Sequence, residues 1–234
     1  MYLDAEYGES VTFQLVSAIL LYGTEQRIRL ATVHKPMRDR SGGPALLDAG
    51  EPLTRSFLER LTRGLGSELP AKFLPENVLI YSTSLMAWWE PPQIRSMFFA
   101  PDCDGKTLDG KLFPHPPLLF AVHQGHLMVW ALAENCRPTL HTPLYMAPYW
   151  NTYEDGRVCH GTMRTPAAMT IDNLAQWSDA FFGSRFTGSN LGIHQCSHPQ
   201  GFLGMWTALA GAKAFPTEYL LRKGKLGTTL CRNQ

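Results

Sequence analysis

The stretch "PLLFAVHQGHLMVWAL", residues 117–132, holds two apolar runs on either side of Gln124 and Gly125. A glycine-bearing pair between two such runs predicts a tight β-hairpin. The runs are apolar at successive as well as alternate positions, so both faces should be covered and the hairpin should lie at the centre of a sheet. Working back from it, "NVLIYST" and "LMAWW" carry the β-branched and aromatic residues that suit a pleated surface, and "IRSMFFA" resumes after Pro91 and Pro92. "CDGKTLDGK" reads as the loop that follows. Together these segments predict an antiparallel meander.

Outside the meander the period changes. Phe57, Leu58, Leu61 and Leu65 have helical spacing, with Gly64 and Gly66 marking the end, which predicts a short amphipathic helix from Thr54. Nearer the amino terminus, Val11, Phe13, Leu15 and Ile19 fall mostly at alternate positions and "QRIRLATVH" follows "YGTEQ", which predicts a β-hairpin; "RDRSGGP", residues 38–44, reads as a linker. Downstream, Ile171, Leu174, Trp177 and Phe181 lie near one stripe between Thr170 as a cap and Gly183 as a stop, and Phe202, Met205, Trp206 and Leu209 repeat the spacing before Pro216. Strands grouped together and helices grouped at the end place the chain in the α+β class rather than the alternating one. The expected organisation is a hairpin extension and linker over residues 1–50 and a core over residues 51–234.

Composition narrows the chemistry. A chain of 234 residues, 44% apolar and 18% charged with a formal net charge of +1, has enough sequence for one substantial core and no bulk attraction to nucleic acid or anionic membranes. "FQLVSAILLYG" is too short to span a bilayer and lacks a basic leader and cleavage site, so a cytoplasmic protein is expected. The cysteines at 103, 136, 159, 196 and 231 are odd in number and scattered, which suits free thiols in a reducing compartment. "GLGSELP" lacks the lysine and hydroxyl pair of a phosphate loop. "HQCSH" sets His194, Cys196 and His198 at alternate positions but matches no common zinc spacing, so it reads as loop, and neither metal nor cofactor is expected. Trp88, Trp89, Trp130 and Trp177 fall at strand and helix spacing and read as core rather than as a binding platform.

One loop stands apart: "PYWNTYEDGRVCHG", residues 148–161. Cysteine is ordinarily a small buried hydrophobe, but Cys159 lies in a polar, turn-rich segment between the meander and the helices, the position suited to a thiol that accepts an acyl group. Transfer from a thioester to an amine passes through a tetrahedral oxyanion, for which the Asn151 amide is a candidate donor; ordering the turn through its own backbone is a compatible role. His160 is adjacent to Cys159, and neighbours in an extended segment point to opposite faces, so it is poorly placed as a base. A carrier of an already activated acyl group tolerates that, because a strong base would also activate water. Gly156 reads as a turn glycine. Arg137, Arg157 and Arg164 flank the loop, where they are either solvated or meet an acidic partner.

The register is informative. Asn151 lies eight positions and Gly156 three positions before Cys159, which resembles the ubiquitin-conjugating enzymes, whose pattern runs His-Pro-Asn, glycine, acceptor cysteine. More narrowly, "LIYSTSLMAWWEPPQIRSMFF", "PPLLF", "LMVWALAENCRPTLHTPLYMAPYWN", "GRVCHG" and "WSDAFFGSRFT" make the chain similar to the bacterial PRTRC system protein B family, found in gene clusters on mobile elements; the resemblance is best over residues 74–187. It implies a ubiquitin-conjugating-enzyme-like fold, from which this chain departs by an added amino-terminal hairpin and an extra strand in the sheet. It also implies that Cys159 takes a ubiquitin-like β-grasp protein as a thioester from an adenylating enzyme, with Asn151 stabilising the oxyanion or ordering the loop. Tyr149 and Trp150 stand where the eukaryotic pattern has histidine and proline, so they join Gly156 and His160 as positions that set the loop's geometry. A non-catalytic binding or scaffold module in a plasmid-maintenance complex is the other reading. A modifier-removing hydrolase is a third, against which the missing base argues.

Overall fold

The computed structural model describes residues 15–25, 27–37, 46–65, 72–190 and 195–231. Internal contacts divide the chain into two units, Met1–Glu68 and Leu69–Gln234. In the first, strands β1 (Ala18–Thr24) and β2 (Arg27–His34) pair antiparallel, and Glu51–Pro52 adds to the other edge of β2. The predicted hairpin is therefore present; Val11, Phe13 and residues 38–44 lie outside the described residues. Helix α1 (Arg55–Gly64) starts where the Thr54 hydroxyl accepts the Phe57 backbone N–H, satisfying one of the donors that a first turn leaves unpaired.

The second unit is built on strands β3 (Val78–Tyr81), β4 (Leu85–Glu90), β5 (Leu118–His123), β6 (His126–Ala131), β7 (Pro143–Met146) and β8 (Arg222–Lys225). They form one sheet in the order β8-β7-β6-β5-β4-β3, antiparallel throughout. The hairpin of residues 117–132 is the central pair, turning through Gln124 and Gly125, whose positive φ values of 50° and 81° suit a two-residue turn.

Alternation decides which side chains meet which layer. Met86 and Trp88 of β4, Leu118, Phe120 and Val122 of β5, and Leu127, Val129 and Ala131 of β6 enter the larger core. It also takes in Leu174, Trp177, Phe181 and Phe182 of helix α2 (Leu174–Phe182) and Phe202, Met205, Trp206 and Leu209 of helix α3 (Gly201–Leu209). The intervening residues Ala87, Leu119, Ala121 and Trp130 enter a smaller cluster on the other face, with Leu226 of the short helix α4 (Leu226–Leu230). Trp88, Trp130 and Trp177 are buried core residues, and Trp89 packs at the margin of the smaller cluster.

Two segments depart from the expected meander. "IRSMFFA" forms strands, but outside the six-stranded sheet: Gln93–Ser96 pairs with Leu112–His115, and Phe98–Phe99 pairs parallel with Arg185–Phe186. Pro91 and Pro92 offer no N–H to a ladder, so β4 ends there and the chain leaves the sheet. In the opposite direction, β8 arrives after the helices and pairs with β7 at the sheet edge. Its sequence, "RKGK", has no apolar alternation to announce a strand. Thr170 caps a single 3-10 turn, Ile171–Asn173, so α2 begins three residues later than its cap suggests, while Gly183 ends it as expected. The chain is α+β, and among the described residues no helix is long and apolar enough to cross a membrane.

Candidate active site

After β7 the chain is pinned by aromatic packing before it reaches Cys159. The Pro148 carbonyl accepts the Trp206 indole N–H at 3.0 Å. Tyr149 is fully buried, with Phe181 at 5.2 Å and Trp206 stacked at 5.8 Å between ring centroids. Its carbonyl accepts from the Gln195 amide at 2.6 Å and the Thr152 hydroxyl at 2.7 Å. Its hydroxyl meets Nδ1 of buried His115 at 2.9 Å. Burial lowers the His115 pKa to about 4 and holds that of Tyr149 well above the ordinary phenol value, so both are neutral structural groups at physiological pH. Trp150 stacks on Phe202 at 4.8 Å with an interplanar angle of 14°. The two residues standing in place of histidine and proline are thus anchors that fasten the loop to α2 and α3.

From Asn151 the chain folds back on itself. Asn151 has a positive φ of 59°, a left-handed conformation that asparagine tolerates better than most residues. Its carbonyl accepts the Cys159 N–H at 2.7 Å, Thr152 bridges Val158, and the Arg157 carbonyl accepts the Tyr153 N–H at 2.8 Å. The returning arm docks on β6 through Val129 N–H to the Gly156 carbonyl at 2.8 Å and Val158 N–H to the Leu127 carbonyl at 2.9 Å. Gly156 is more than a turn residue: its φ is +88°, and a Cβ there would meet Trp130 Cζ2 at 2.5 Å and Nε1 at 2.6 Å. The hairpin is therefore rigid on its inner side, where Thr152 and Val158 are buried, and open on its outer side, where Tyr153, Arg157 and Cys159 are exposed.

Asn151 and Cys159 are brought together through the backbone, while the Asn151 side chain faces another segment. Its Nδ2 donates to the Arg185 carbonyl at 2.9 Å, and its Oδ1 accepts the Thr187 N–H at 3.1 Å and the Thr187 hydroxyl at 2.9 Å. The Asn151 N–H reaches the Gly188 carbonyl at 3.1 Å. Four bonds thus tie this one residue to the segment that follows α2. His160 is half-buried with its ring 6.0 Å from that of His126; burial and then the neighbouring imidazole depress its pKa, so it carries little charge. Its Nε2 is buried without a hydrogen-bond partner among the described residues.

Sequence reasoning missed Tyr153. The Cys159 thiol lies beside its phenol and raises the Tyr153 pKa. Alternation in a short hairpin was the available signal, since positions 153, 157 and 159 share one face. Lys223 of β8, paired with Glu154 at 2.5 Å, was also missed, because β8 itself was not legible. Of the flanking arginines, Arg157 pairs with Asp155 at 2.6 Å and Arg137 donates to the Val78 carbonyl at 2.9 Å. Cys196 is buried and Cys103 half-buried, whereas Cys136 and Cys231 share exposure with Cys159 but not its built loop. His194 lies outside the described residues.

Neither the curated proteins nor the solved structures contain a match to this chain. The family model described as Prokaryotic E2 family D matches residues 57–222, more than half of the chain and the whole of the Asn151 to Cys159 hairpin. The chain belongs to this prokaryotic E2 family, which ties it to ubiquitin-like conjugation in general terms.

Proposed function

We propose that the protein is an acyl carrier of the conjugating type, which accepts a ubiquitin-like protein as a thioester on Cys159 and passes it to an amine. The observation that carries this reading is an exposed thiol on a hairpin whose other face is buried, in a chain belonging to an E2 family. Loading is a thioester exchange: the Cys159 thiolate attacks the donor carbonyl, the new S–C bond forms, and the donor thiolate leaves. In discharge the amine attacks the same carbonyl, the Cys159 S–C bond breaks, and the amine proton passes to solvent. Both steps go through a tetrahedral oxyanion, and neither needs a strong base once the acyl group is activated.

Asn151 serves first as the loop's clamp, since its side-chain amide is engaged by Arg185 and Thr187. Its Nδ2 carries two hydrogens and the Arg185 carbonyl takes one, so the second is the candidate donor to the oxyanion. Tyr149, Trp150 and Gly156 hold the hairpin, and His160 shields its side without acting as base. The partners are an adenylating enzyme of the ubiquitin-activating type and a small β-grasp modifier, in a conjugating fold of the PRTRC system protein B kind encoded on bacterial mobile elements.

Incubation with a cognate adenylating enzyme, modifier and ATP should give a larger species on a non-reducing gel that thiol reductant abolishes. Its absence would leave the non-catalytic scaffold as the surviving reading, and its persistence in Cys159→Ala would move the acceptor to another of the free thiols.

A further inference from the structure

The segment that holds Asn151 is itself anchored. Phe186 is fully buried with its ring stacked on Tyr149, its carbonyl accepts the Ala100 N–H at 3.0 Å, and the Arg185 guanidinium donates to the Phe99 carbonyl at 2.9 Å. The Arg185 N–H donates to the Thr162 hydroxyl at 3.1 Å, and its carbonyl accepts from Asn151. One short segment thus ties the chain down on both sides of Cys159. Within it the Arg185 carbonyl can only accept and the Thr187 N–H can only donate, which turns Nδ2 of Asn151 toward Arg185 and Oδ1 toward Thr187. The Thr187 hydroxyl, at an exposed position, adds a second donor to the same Oδ1 at 2.9 Å. The backbone pair already closes the clamp, so the hydroxyl bears on the amide itself.

We propose that Thr187 is a positioning residue for discharge, its hydroxyl holding the Asn151 amide so that the second Nδ2 hydrogen meets the oxyanion. This rests on the carrier reading and deepens it. In discharge the amine nitrogen bonds to the thioester carbon and the carbonyl oxygen takes up the negative charge. The Cys159 S–C bond then breaks, the thiolate leaves, and the amine proton passes to solvent. Asn151 gives up no proton; it lends a hydrogen bond while the charge is on oxygen. Two donors on Oδ1 draw electron density toward it, and hydrogen bonds linked through one amide strengthen each other, so the remaining Nδ2–H becomes a better donor. They also fix the plane of the amide, and a donor already aimed costs no reorganisation when the oxyanion forms. Loading leans on this less, because the attacking group is a thiolate, a stronger nucleophile than an amine.

The test compares wild type, Thr187→Val and Thr187→Ser in the full chain, loaded with a cognate adenylating enzyme, modifier and ATP and then discharged to free lysine. Valine keeps the shape and the backbone N–H and removes the hydroxyl; serine restores it. Thr187→Val should load at the wild-type rate and discharge about threefold to tenfold more slowly, the loss of one hydrogen bond, and Thr187→Ser should recover to within about twofold of wild type. In an Asn151→Ala background Thr187→Val should slow discharge no further, because the amide it acts through is gone. Wild-type discharge by Thr187→Val, equal slowing of loading and discharge, failure of serine to rescue, or an undiminished slowing in the Asn151→Ala background would each overturn the role. A wild-type protein that never loads would overturn the carrier reading and the positioning role with it, whereas normal loading followed by discharge indifferent to Thr187 would overturn the positioning role alone.

Discussion

Gly156→Ala is the perturbation whose cost the structure defines best. Position 156 has a left-handed backbone, and an added methyl group would meet the Trp130 indole at 2.5 Å and 2.6 Å. The left-handed conformation costs an L-residue about 1–2 kcal/mol, and the stiffer unfolded chain returns about 0.4–1 kcal/mol. Forcing a methyl group into filled space adds about 1–3 kcal/mol. Trp130 is buried between strands and has little freedom to yield, so the sum is about 2–4 kcal/mol. Gly125→Ala is the matched control. Its φ is +81°, nothing lies within 4 Å of its Cβ position, and only the backbone component should remain, about 1 kcal/mol. Urea denaturation of both variants reads the difference. A Gly156→Ala protein no less stable than Gly125→Ala would refute the idea that Trp130 sets the height of the cysteine hairpin above the sheet.

Asn151→Ala removes the acceptor of Thr187 and the donor to Arg185, and should cost about 2–4 kcal/mol in the same assay; it should also slow discharge more than loading, and equal slowing of both would count against an oxyanion role. His115 gives a pH signature. Its folded pKa of about 4 lies below the ordinary value of 6.5, so the unfolded state binds the proton more readily and stability is lost as pH falls from about 6.5 toward 4. Wild type should lose about 3 kcal/mol more than His115→Gln between pH 7 and pH 4; parallel curves would mean that the imidazole is not held neutral.

What the sequence discloses depends on whether a contact is local. The hairpin of residues 117–132 was legible because its period and its Gln124-Gly125 turn both lie within one short window, and the stripes of Trp177 and Trp206 were legible for the same reason. "IRSMFFA" misled because its residues suit a strand while Pro91 and Pro92 break the ladder that would have included it. β8 was hidden because an edge strand can be all charge and glycine. At the candidate site the register of Asn151, Gly156 and Cys159 could be counted. The partners of Asn151 could not, because Arg185 and Thr187 are supplied by a segment beyond α2, more than thirty residues away. Tyr149 and Trp150 looked like departures from a pattern until their rings were seen against Phe181, Trp206 and Phe202.

The intact mass of the protein after incubation with a cognate adenylating enzyme, its modifier and ATP tests the central claim most directly. Wild type should gain the mass of one modifier less one water, reversibly with thiol; Cys159→Ala should gain nothing, and Cys159→Ser should keep the mass in the presence of thiol as an ester. An unchanged wild-type mass, or the same gain in Cys159→Ala, would contradict the assignment of Cys159 as the acceptor.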